Sequence, residues 1–131
     1  MITSELLPNA LLAKAAVHQL PGKVCDLTYL LSMSRGNKMI IQNILTVFFK
    51  ETAIELIGLK KAIRRRNYTG ISNISHKLRS AFSILGIAVL EPVFKEMEQL
   101  SSTSSINSIE LLNHRVNIVF NQAKAEMKQE H

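Results

Sequence analysis

Four histidines and one cysteine are the residues of this 131-residue chain whose types could carry nucleophilic, proton-transfer or metal chemistry: His18, His76, His114, His131 and Cys25. A single cysteine excludes an intramolecular disulfide and a cysteine-based zinc centre. Cys25 reads as a small apolar residue at the start of a helix rather than a reactive thiol. The histidines lack ligand spacing, and no carboxylate or nucleophile pair accompanies them, which argues against a metal centre or a hydrolytic site. There is no GxxxxGK[ST] loop and no cluster of carboxylates with ligand spacing, so no nucleotide or metal is expected to be bound by the chain itself.

A helix decides where each imidazole points. With about 100° of rotation per residue and Ile71 at zero, Ile71, Ile74, Leu78, Ala81, Phe82 and Leu85 fall in an arc centred near roughly 330°. That arc must face a core. His76 falls at about 140°, nearly opposite, and is expected in solvent. The same arithmetic turns His114 away from its own stripe, so exposure alone selects neither. Their neighbours differ. Around His76 the face carries Ser72, Asn73, Ser80 and Ser83, all small, with Lys77 adjacent and Arg79 one turn away. Around His114 stand Glu110, Leu111, Asn117, Ile118 and Asn121, which are bulkier and include a carboxylate.

Small residues beside an exposed imidazole let another protein's active site approach for in-line attack, and phosphoryl transfer depends mostly on such positioning. An imidazole is largely neutral near pH 7, so it is nucleophilic without a dedicated base. Arg79 supplies a forked donor for phosphoryl oxygens. These residues make His76 a candidate phosphoryl acceptor, and an idle surface histidine is the plainer reading that stands beside it.

The elements that must hold His76 are helical. Gly and Pro number only 5 and 3, and no strand-like alternation persists. Residues 1–20 form a weakly amphipathic stretch with Leu7, Leu11, Leu12 and Ala15 on one side, ended by Pro21-Gly22. Asp26 reads as the N-cap of a short helix carrying Leu27, Leu30 and Leu31. A long helix is expected from Asn37 to about Arg66, with Ile40, Ile41, Ile44, Phe48, Ile54, Leu56, Ile57, Leu59 and Ile63 as its apolar pattern. Others are expected over about 69–85, 88–100 and 106–128, the last two separated by the Ser-rich 101–105 linker. The expected fold is all-α, an antiparallel four-helix bundle with one or two additional short N-terminal helices.

An apolar fraction of 47% and a charged fraction of 20% suit one soluble domain. No apolar run is long enough to span a membrane. With no disulfide framework and no signal peptide, a cytoplasmic location is expected. The net charge is +6, and its densest run is Lys60, Lys61, Arg64, Arg65 and Arg66 near a helix C-terminus, where cations complement the dipole. A nucleic-acid binder is disfavoured, since few aromatics are available for stacking and no DNA-binding motif occurs.

Ser75-His76-Lys77-Leu78-Arg79-Ser80-Ala81 followed by Gly86 resembles the signature of histidine phosphotransfer (HPt) domains of two-component phosphorelays. The resemblance extends over about residues 25–125. It takes in Asp26-Leu27-Thr28-Tyr29-Leu30, then Phe48, Leu59, Ala62, Ile63, Asn67 and Tyr68, then Leu90 to Glu98. It implies an HPt four-helix bundle over 23–131 preceded by a helical extension over 1–22. His76 would be the phosphoacceptor nucleophile and Arg79 would hold the phosphoryl group, in place of the family's Lys. Ser72, Asn73, Lys77, Ser80 and Ser83 would meet the partner. Ser80 stands where the family very often has Gly, and Asn67 where Asp is common. The implied partners are response-regulator receiver domains and a hybrid sensor histidine kinase, with Mg²⁺ supplied by the receiver. Membrane and nucleic acid would not be partners, and the chain would be a monomer without kinase or ATP-binding activity. An HPt-like scaffold that binds a receiver or kinase without phosphotransfer is the alternative.

Overall fold

A computed structural model describes residues 22–100 and 105–130, with side chains through Lys128. No strand occurs among the described residues. There are five α-helices: α1 (Thr28–Ser34), α2 (Lys38–Arg64), α3 (Tyr68–Ile84), α4 (Glu91–Leu100) and α5 (Ile106–Glu130). A 3₁₀ turn, Ala88–Leu90, leads into α4. The expected helix over residues 1–20 lies outside the described residues, as do positions 101–104 of the linker.

Local chemistry sets the boundaries. The Asn37 side chain accepts from Met39 N and Ile40 N, and that of Asn67 from Gly70 N. Each such cap is worth about 1 kcal/mol. Asp26 departs from the expected role. Because α1 starts at Thr28, the cap position falls to Leu27, whose side chain makes no capping bond. Asp26 Oδ1 instead accepts from Thr28 N at 3.0 Å and Thr28 Oγ1 at 2.6 Å, an Asx turn ahead of the helix. The Thr28 hydroxyl and backbone N–H together hold this exposed carboxyl below its ordinary range.

α3 stops where Gly86 takes φ +61°. A Cβ there would fall on the Asp26 carbonyl oxygen, and Asp26 N donates to Leu85 O at 2.9 Å. No other residue type fits that crossing. Further along the same strap, the Glu126 carboxylate accepts from Val24 N at 2.7 Å and Cys25 N at 3.1 Å, while Gln122 Nε2 donates to Gly22 O.

α3 lies against α2 and α4, α5 against α4 and α2, and α1 against α2. All five phenylalanines of the chain meet in the shared core. Phe82 stacks edge-on with Phe48 and Phe94 at 5.3 Å between centroids, and Phe120 and Phe49 complete the cluster. One part of the expected core is wrong: Ile40, Ile54 and Ile57 are 44%, 59% and 58% exposed. α2 is apolar on more than one face, and its neighbours cover the face of Ile41, Leu45, Phe48, Leu56, Leu59 and Ile63. The uncovered residues Ile40, Val47 and Ile54 recur every seven positions as a second stripe. Among the described residues no helix is long and apolar enough to cross a membrane.

Candidate functional site

α3 presents its apolar arc to the core and turns His76 outward. Ile71, Leu78 and Phe82 are buried, and the His76 side chain is 63% exposed, as the helical rotation requires. Asn73, Lys77, Ser80 and Ser83 are exposed beside it, and Ser72 is half-buried. Ser80 Oγ donates to His76 O at 3.4 Å and Ser83 Oγ to Ser80 O at 2.6 Å. Both hydroxyls therefore turn back onto their own helix, which leaves a low surface around the imidazole. Lys77 leans the other way, onto Glu55 of α2 at 3.1 Å.

α4 brings to His76 a carboxylate that the sequence reading did not anticipate. Glu98 Oε1 lies 3.2 Å from His76 Nδ1, and Glu98 Oε2 lies 3.3 Å from Arg79 Nη1. Glu98 is 21% exposed, so this contact is sheltered on one side. Arg79, expected to be free for a phosphoryl group, is also 3.9 Å from Glu91 through Nε, and Glu91 meets Lys95 at the same distance. The result is a ladder along the α3–α4 seam, from Lys95 through Glu91, Arg79 and Glu98 to His76. Packing of α4 against α3 by Phe94 and Met97, both fully buried, builds it.

The ladder favours one imidazole tautomer. His76 Nδ1 has two neighbours: Glu98 Oε1, which can only accept, and Arg79 Nη2 at 3.5 Å, which can only donate. The carboxylate contact is shorter and becomes charge-assisted as the ring acquires positive charge, and Glu98 already faces Arg79. These contacts favour the tautomer with the hydrogen on Nδ1 and the lone pair on Nε2.

Glu98 was legible only in part. A wheel drawn for α3 alone cannot contain it, because it comes from 22 residues away. The available signal was Glu91, Lys95 and Glu98 on one flank of the apolar stripe of α4, complementary to Arg79. His114 is exposed on α5 with Lys60, Arg64, Glu110 and Asn113 around it, and it meets none of the His76 group. His18 and His131 lie outside the described residues. Cys25 is half-buried against the core. Among the described residues, no group of three or more His, Cys, Asp or Glu could hold a metal ion. No protein-family model, curated protein or solved structure matches the chain.

Proposed function

We propose that this chain is a histidine phosphotransfer module in which α2 to α5 form an antiparallel four-helix bundle and His76 Nε2 is the phosphoryl acceptor. The observation that carries the reading is an exposed imidazole on a packed helix, with Nδ1 beside Glu98 and no described group bonded to Nε2. The resemblance of 75–86 to the HPt signature supports it from the sequence side.

The chemistry follows from that geometry. The Nε2 lone pair attacks phosphorus of an aspartyl phosphate on a receiver domain. The N–P bond forms as the acyl-phosphate P–O bond breaks, and the receiver's carboxylate leaves with the electron pair. No proton has to move, because the attacking nitrogen carries none. Positive charge develops on the ring, and Glu98 sits where it is stabilised. Arg79, released from Glu91 and Glu98, pairs with the phosphoryl oxygens. The reverse attack by a second receiver's aspartate breaks the N–P bond. Mg²⁺ belongs to the receiver in this scheme, and the module works in the cytoplasm as a monomer.

The uncovered apolar stripe of α2 supports a docking role. Val47 and Ile44 line a cleft of about 410 Å³ with Ala81 and Ile84 of α3, further along the helix that bears His76. A receiver seated there would bring its aspartate alongside the imidazole.

Incubation with a phosphorylated receiver and Mg²⁺ is expected to give an acid-labile phosphoprotein, with His76→Gln unlabelled. Label retained by that variant sinks the assignment. A scaffold without phosphotransfer draws on a specific observation, the two carboxylates that occupy Arg79. Receiver binding that survives His76→Gln, with no label on the parent protein, selects it.

A further inference from the structure

We propose that the cleft between the last turns of α2 and the start of α5 binds a phosphorylated polyol, a ligand with at least two negative charges and neighbouring hydroxyls. The cleft encloses about 320 Å³ and is lined by Lys60, Ile63, Arg64, Glu110, Asn113 and His114. Lys60 and Arg64 stand one turn apart on the same side of α2. Asn113 and His114 come from α5, and buried Ile63 supplies an apolar floor. The Asn113 carboxamide oxygen accepts from Asn117 Nδ2 at 3.2 Å, and its own NH₂ is engaged by no other described group.

A solvated helix end does not account for this arrangement. The final carbonyls of α2 are already closed by backbone donors: Arg65 N to Lys61 O, Arg66 N to Ile63 O and Asn67 N to Ala62 O. None of Lys60, Lys61, Arg64, Arg65 and Arg66 makes an ion pair among the described residues. Glu110 sets the ligand class. Its carboxylate repels a bare polyanion and accepts from hydroxyl groups, so a ligand that carries hydroxyls beside the phosphates held by Lys60 and Arg64 is favoured.

The test is a titration of the isotope-labelled full chain at low ionic strength, followed by NMR, with inositol 1,4,5-trisphosphate and with pyrophosphate. Saturable shifts confined to 60–66 and 110–115 are expected. Lys60→Ala with Arg64→Ala should weaken binding about tenfold or more, and Lys50→Ala, exposed elsewhere on α2, should leave it unchanged. Glu110→Ala should tighten pyrophosphate while lowering the preference for the polyol phosphate. Vesicles carrying phosphatidylinositol 4,5-bisphosphate separate the sources: tighter binding than to the free headgroup places the ligand on a membrane, and equal binding places it in solution. Shifts that fail to saturate or spread equally to Lys50, Lys124 and Lys128 overturn the proposal. So does tighter binding of a single-stranded oligonucleotide that depends as much on Arg65 and Arg66 as on the cleft.

Discussion

Charge is handled in opposite ways at two places on this molecule. Along the α3–α4 seam every cation faces a carboxylate: Arg79 between Glu91 and Glu98, and Lys95 on Glu91, with Lys77 on Glu55 across the other side of α3. At the end of α2 five cations in seven residues have no such partner among the described residues. Pairing fixes geometry, and it is found beside the His76 ring. Unpaired charge leaves donors available, and it is found beside an open cleft. The contrast separates an imidazole held by paired charges from a surface of unpaired cations.

The largest change should come from removing what holds the seam together. Phe94→Ala is expected to cost about 3–5 kcal/mol, read as a lower midpoint in denaturant. The His76 ring resonances should move with it while those of His114 stay, because Phe94 belongs to the α4 side. Equal movement of both would erase the distinction between the two regions. Next is Glu98→Ala, expected to slow phosphoryl acceptance by about 10- to 100-fold in a labelling time course. Glu98→Gln keeps an acceptor for Nδ1–H but loses the charge that stabilises the ring, and its rate should fall between those of the parent and Glu98→Ala. A Glu98→Ala protein labelled at the parent rate would show that the ladder is not involved in the chemistry.

Added salt sharpens the comparison with a smaller effect. Screening relieves repulsion at the end of α2 and weakens only exposed pairs at the seam, so thermal stability should rise by about 0.5 kcal/mol between low and moderate ionic strength. A fall would mean that the paired side dominates. Smallest of all is Lys77→Ala. Its pair with Glu55 is exposed, so a loss of about 0.3 kcal/mol is expected by thermal melting. A loss several times larger would show that this pair locks α2 to α3.

Much of this was readable from the residues. The helix ends follow from Asn37, Asn67 and Gly86, whose side chains or lack of one act within a few residues. The exposure of His76 follows from rotation along one helix. What did not follow depends on two helices meeting. Glu98 reaches His76 only after α4 has packed on α3. Ile40, Ile54 and Ile57 looked like core because α2 is apolar on more than one face, and only its neighbours decide which face is covered. Asp26 was misplaced by one residue for a related reason: Leu85 and Gly86, distant in the chain, hold its backbone.

The strap at 22–26 couples the two ends of the fold in time as well as in space. Val24 and Cys25 find their acceptor on Glu126, 102 and 101 positions later. During synthesis those amides stay hydrated until α5 has emerged, so this closure belongs to the last stage of folding, when nearly the whole loop is already ordered. Early opening in amide exchange is therefore expected at Val24 and Cys25 before the phenylalanine core gives way.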